Sequence, residues 1–200
     1  MKTDRTVRSG TRIALVVTAG LVSTLALAVT GSPALADDEP CGPGVAGMVI
    51  DRSGAGAGQA ITGTAGNDVI IGSPFNDTIV GGGGNDTIDG GGGDDLIRGD
   101  GGMGQPGEDI INGGDGDDRI TGDPCDDKVH GDGGDDELTG DYGDDTVTGG
   151  AGSDSVNGGP GNDTLAGGPG VDTLTGQAGF DSGNGGPAAD MCFTEVMVNC

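Results

Sequence analysis

Fourteen aspartates stand at one phase of this chain: Asp68, Asp77, Asp86, Asp95, Asp109, Asp118, Asp127, Asp136, Asp145, Asp154, Asp163, Asp172, Asp181 and Asp190. Neighbours are nine residues apart, except for the step of fourteen from Asp95 to Asp109. Each closes a glycine-rich stretch, as in "GGGGNDTID" and "GGGGDDLIR", Gly81 to Arg98. Written in nines from Gly63, the chain runs through fourteen units to Phe193, one of them, Gly99–Asn112, lengthened by five residues in its glycine part. Position 1 is Gly and position 6 is Asp in all fourteen units; position 4 is Gly in eleven. Carboxylates repeating beside unshielded backbone carbonyls offer hard oxygen donors, the ligand set of a hard divalent cation. Aspartate also suits turns. Turn geometry alone, however, would not hold Asp to one phase while position 5 varies through Asn, Asp, Glu, Ser, Val, Phe and Ala.

The elements that must position these carboxylates are short. Glycines at positions 1, 2 and 4 are expected to supply positive φ and tight turns. Positions 7 to 9 make a strand whose position-8 side chain faces one way and its neighbours the other. Position 8 is Ile, Val or Leu in twelve units and fails only at Gly183 and Cys192. A disordered Gly/Asp tract has no reason to keep such a phase.

The units resemble the nonapeptide G-G-x-G-x-D-x-U-x of the repeats-in-toxin, or hemolysin-type calcium-binding, family across residues 63–193. That resemblance implies an all-β fold, a right-handed parallel β-roll (a β-helix or solenoid) with two nonapeptide repeats per coil and Ca²⁺ in its turns. Units eighteen residues apart then lie one above the other. Ile70, Ile88, Ile111, Val129, Val147 and Leu165 fall in one internal ladder; Ile79, Ile97, Ile120, Leu138, Val156 and Leu174 fall in the other. Stacked turns share ions, Asp68 with Asp86 and Asp77 with Asp95, continuing to Asp172 with Asp190. All fourteen aspartates are therefore expected metal ligands, with turn carbonyls completing each shell and roughly a dozen Ca²⁺ at most.

Composition explains why a ligand is needed. The chain has 200 residues, 48 of them Gly, only 2% aromatic, no Trp, and a net charge of −25. Such composition ordinarily reads as disordered, and a compact state would repel itself. Divalent cations remove that repulsion, so the chain is expected to fold around its ligand. Eight Lys and Arg, four within the first twelve residues, leave no basic patch for nucleic acid or an anionic membrane surface.

Lys2, Arg5, Arg8 and Arg12 precede an apolar run from Ile13 to Val29, and Ala34-Leu35-Ala36 fits a signal-peptidase site. Residues 1–36 thus read as a secretory signal peptide, and the remainder is expected to work extracellularly with no membrane span. Residues 37–62 read as an N-terminal linker and cap containing "VAGMVID", and residues 194–200 as a C-terminal capping strand. Repeat folds need such ends. Cys41, Cys125, Cys192 and Cys200 suit disulfides in an exported chain; "CFTEVMVNC" suggests Cys192–Cys200, and Cys41 is a candidate partner for Cys125.

Other chemistry is thinly supported. Gly99-x-Gly101-x-x-Gly104 matches a dinucleotide pattern by glycine content alone. His130 is the only histidine and sits at an outward position 9, so no catalytic base serves the scattered serines and the chain reads as a non-enzyme. The functional expectation is a secreted protein that folds on binding several Ca²⁺. The alternative is an adhesion or matrix module recognising a cell wall, glycan or protein partner through the ordered roll. Ice binding has only Thr146/Thr148 and Thr173/Thr175 to support it.

Overall fold

The computed structural model describes residue 41 and residues 44–200. The expected signal segment therefore lies outside the described residues. Within them every regular element is a β-strand, seventeen in all, from Val45–Asp51 to Val196–Val198. Each repeat contributes one strand, and after the first, whose strand Gly66–Ser73 contains Asp68, every strand begins just after its aspartate, as Thr87–Gly92 follows Asp86 and Thr146–Ala151 follows Asp145. Glycine then turns the chain before the next strand. Alternate strands join alternate sheets, one of nine strands and one of eight, both parallel throughout. Two nonapeptides thus make one coil of a parallel β-roll.

The register is that of the sequence repeat. Ile70 lies beside Ile88 and Val129 beside Val147, one coil of eighteen residues apart. Across the expanded unit the step is twenty-three residues, Ile88 beside Ile111 and Ile97 beside Ile120. The five extra residues leave between strands Leu96–Asp100 and Ile110–Asp115, so the ladders continue without a slip. A one-residue slip would turn every aliphatic outward. All twelve expected ladder residues are buried to 1% exposure or less.

The ladders are longer than the aspartate count implies. Ile61, on the strand Ala60–Thr62, packs on Ile79 and opens the second ladder. Its unit, "GAGAGQAIT", keeps the position-1 Gly and the position-8 Ile but carries Ala55 and Ala57 at positions 2 and 4 and Gln59 where Asp would stand. Counting by Asp therefore begins one unit late, and residues 54–62 belong to the roll. Val45–Asp51 pairs with Gly66–Ser73 through a register shift, which brings Ile50 against the other ladder. At the far end Gly183 leaves a gap that the buried Thr194 fills. Val196–Val198 pairs with Ser182–Asn184 as the outermost strand. Cys192 is bonded to Cys200, and Cys41 to Cys125 across 84 residues of sequence. Among the described residues no helix is long and apolar enough to cross a membrane.

Candidate metal centre

The turns that carry the aspartates are built from left-handed residues at positions 2 and 4. Gly82 and Gly84 take φ of 132° and 89°, and Gly150 and Gly152 repeat the pattern at 120° and 150°. Asp123, Asp132, Asp141 and Gln177 occupy position 2 with φ between 71° and 83°, and Cys125 occupies position 4 at 99°. Position 1 corrects the sequence expectation, because none of its glycines has positive φ. Glycine is required there by space. A Cβ on Gly131 would lie 2.1 Å from Asp136 Oδ2 and 2.6 Å from the Gly149 carbonyl oxygen. At Gly149 the same two distances, to Asp154 Oδ2 and the Gly167 carbonyl, are 2.3 and 2.7 Å. In each of these turns a carboxylate oxygen and a carbonyl of the next coil crowd the same glycine.

The two oxygens of each aspartate do different work. From Asp86 onward Oδ1 accepts the backbone N–H of the aspartate one coil earlier, Asp68 to Asp86 at 2.7 Å, Asp118 to Asp136 at 2.8 Å, and on to Asp172 with Asp190 at 3.0 Å. In Asp68 and Asp77 it accepts the N–H groups of Met48 and Gln59. The carboxylates therefore tie successive coils together along both edges of the roll. Oδ2 is left over. In twelve of the fourteen, from Asp86 to Asp190, it is buried with no hydrogen-bond partner. Asp68 and Asp77 differ: their Oδ2 atoms accept the N–H groups of Thr64 and Ser73 at 2.5 and 2.6 Å. The first aspartate on each edge closes its own turn, and the later twelve present an open oxygen.

An unpartnered buried carboxylate oxygen costs free energy and disfavours ionisation. Burial pushes Asp86, Asp136 and Asp145 up to about 7, Asp109 to about 8 and Asp127 to about 9. Asp95, Asp118 and Asp163 are raised to about 6, again by burial first. Neighbouring carboxylates add to the rise, whereas the N–H held by Oδ1 opposes it. A cation beside Oδ2 reverses this balance. Among the described residues no three His, Cys, Asp or Glu side chains converge on one point. A cation seated in these turns must then draw the rest of its shell from backbone carbonyls such as those of Gly149 and Gly167. Such an all-oxygen, anionic donor set suits Ca²⁺ and offers nothing to a soft metal.

Two further groups escaped the repeat count. Glu195 stands fourteen residues after Asp181 and accepts its N–H at 2.9 Å, doing at the last coil what Oδ1 does elsewhere. Position 5 also carries an outer ladder: Asp117 Oδ1 accepts from the Asp135 N–H and Asp135 Oδ1 from the Ser153 N–H, each at 2.8 Å. Asn67 and Asn162 accept there as Asp does, and the donor is a backbone N–H that Ser153 and Phe180 supply equally well, which accounts for the looser choice at that position.

A family model described as the RTX calcium-binding nonapeptide repeat matches the chain at residues 54–74, 71–102, 103–138, 130–165, 139–174 and 166–192. Its first match begins at the unit that carries Ile61 rather than at Gly63. A search of curated proteins finds no match.

Proposed function

The chain belongs to the RTX calcium-binding nonapeptide-repeat family, and from that premise we propose that it is an exported protein whose roll forms on binding several Ca²⁺ between its turns. One observation carries this reading: the row of twelve buried Oδ2 atoms, Asp86 to Asp190, without hydrogen-bond partners. These twelve aspartates would hold the ions together with carbonyls of the adjacent coil, while Asp68 and Asp77 cap the first turns. When bound, Ca²⁺ supplies the positive charge that the stacked carboxylates lack. The chain's own part is to hold each carboxylate by Oδ1, aim Oδ2 into the turn and keep position 1 bare. Export is supported by the basic-then-apolar N-terminal residues and by two disulfides, which persist in oxidising compartments.

The test is a Ca²⁺ titration read by circular dichroism and hydrodynamic radius. In EDTA at neutral pH the protein should be expanded and poor in β signal; at millimolar Ca²⁺ it should compact cooperatively. A sample that keeps its β spectrum and radius in EDTA would refute the reading.

A further inference from the structure

The expanded unit, Gly99–Asn112, does more than loop out. Asp100 stands at position 2, where Asp123, Asp132 and Asp141 take left-handed φ values of 76°, 71° and 83°. Asp100 does not. It instead ends the strand Leu96–Asp100, opposite Gly82, and the left-handed residues of this unit are Gly102 and Gly104. Asp132, at the same repeat position in a regular turn, is exposed. Asp100 is only 6% exposed; both of its carboxylate oxygens are buried, and the one backbone donor that approaches them, the Gly107 N–H, falls short of hydrogen-bond geometry. The Oδ2 of Asp109, in the same unit, is buried and unpartnered as well. A regular turn offers one such oxygen; this one offers three.

The surroundings point to a cation. Asp100 lines a cavity of about 330 Å³ with Arg98, Met103, Asp123, Asp141 and Tyr142. Arg98 is committed to Asp123, which it grips through Nη2 at 2.7 Å and Nε at 3.2 Å. Asp100 thus has no counter-charge of its own, and three carboxylates against one guanidinium leave the cavity wall at −2. The charges of Asp123 and Asp86 also oppose its ionisation, and Asp100 in turn opposes that of Asp109.

We propose that Asp100 is a cation ligand lying outside the nine-residue pattern: with Asp109 and neighbouring backbone carbonyls it holds a Ca²⁺ more tightly than the regular turns do. This rests on the calcium reading above and adds to it where the first ion is seated. Affinity of an oxygen site rises with the number of charged ligands, and the inserted residues make room for the additional carboxylate. The turn with the most buried, unpartnered carboxylate oxygens then fills first, and coils grow outward from it.

Tyr142 makes the site separately visible. It is the only tyrosine of a chain without Trp and lies in the cavity wall. Tb³⁺, a Ca²⁺ substitute, should therefore show tyrosine-sensitised emission first from this site, and only at higher concentration from the regular turn Gly140–Asp145 that carries Tyr142. Full-length protein, Asp100→Asn and Asp132→Asn are titrated with Tb³⁺ and, separately, with Ca²⁺ under circular dichroism. Emission from the unsubstituted protein should saturate at a Tb³⁺ concentration at least tenfold below that which completes β structure. Asp132→Asn should match it, and Asp100→Asn should lose the early emission and need at least tenfold more Tb³⁺. Asp100→Gly, which installs the residue found at position 2 of regular turns, should behave like Asp100→Asn and guards against a folding defect. Emission unchanged in both Asp100 variants, or rising only together with the bulk β signal, overturns the inference while leaving Ca²⁺-dependent folding intact. Failure of the unsubstituted protein to respond to Ca²⁺ at all would remove the calcium reading and this site with it.

Discussion

Replacing Asp136 separates the two tasks of one carboxylate. Its Oδ1 accepts the Asp118 N–H at 2.8 Å, and its Oδ2 is the buried oxygen that faces Gly131 and the Gly149 carbonyl. Asp136→Asn keeps an acceptor for the amide and removes only the anionic oxygen. Asp136→Ala removes both and strands a buried N–H. With site constants of roughly 10⁻⁴–10⁻³ M, one ion contributes about 1.4–2.7 kcal/mol at about 10 mM Ca²⁺. Asp136→Asn should cost that much for each ion lost, and Asp136→Ala about 1–3 kcal/mol more for the unpaired amide. Urea unfolding at several fixed Ca²⁺ concentrations measures this directly. The sharper signature is the dependence on concentration: stability plotted against log free Ca²⁺ should lose about 1.4 kcal/mol per decade for each ion removed. Thr146→Ala, on the outward strand face, should stay within about 0.5 kcal/mol and keep the original slope. An Asp136→Asn protein with an unchanged slope would show that Oδ2 binds no ion, whatever its stability.

Protons should partly replace calcium. The ion-free roll holds Asp86, Asp136 and Asp145 at about 7, Asp109 at about 8 and Asp127 at about 9, against an ordinary 3.8. The folded state therefore binds more protons than the unfolded one, and this stability is present in full below about 4 and lost as pH rises from there through about 7 to 9. In EDTA the β signal should be stronger at pH 5 than at pH 8, and a signal that is flat or stronger at pH 8 contradicts the burial of these groups. Gly131→Ala should destabilise the Ca²⁺-loaded roll by about 1–3 kcal/mol, the cost of overpacking, because its Cβ meets Asp136 Oδ2 at 2.1 Å and the Gly149 carbonyl at 2.6 Å. Gly133→Ala, whose nearest neighbour would be 3.8 Å away, should change thermal stability little; equal losses in the two variants would discard the spatial account of position 1.

Much of this protein is written locally and repeated, and that part could be read from the residues. A strand period of two places every second residue of "DTIDG" or "DTVTG" inward, so Ile88 and Val147 had to line a core once their neighbours stacked. The single phase of Asp likewise put every candidate carboxylate in a turn. What lay beyond reach depended on which backbone came to rest beside which, eighteen or twenty-three residues away. Only the stacked coils show that position 1 is bare because the next coil's carbonyl and a carboxylate oxygen crowd it, not because φ is positive. Only they show Oδ1 bound to the preceding coil, leaving Oδ2 open in twelve aspartates and closed in Asp68 and Asp77. Ile61 joined the core through its neighbour Ile79, although its own unit lacks the Asp that marks the rest. Cys41 met Cys125 across 84 residues, and Asp100 was buried by an insertion whose path no repeat pattern predicts. Periodicity specifies what every coil has in common; the contacts between coils decide what each particular residue is for.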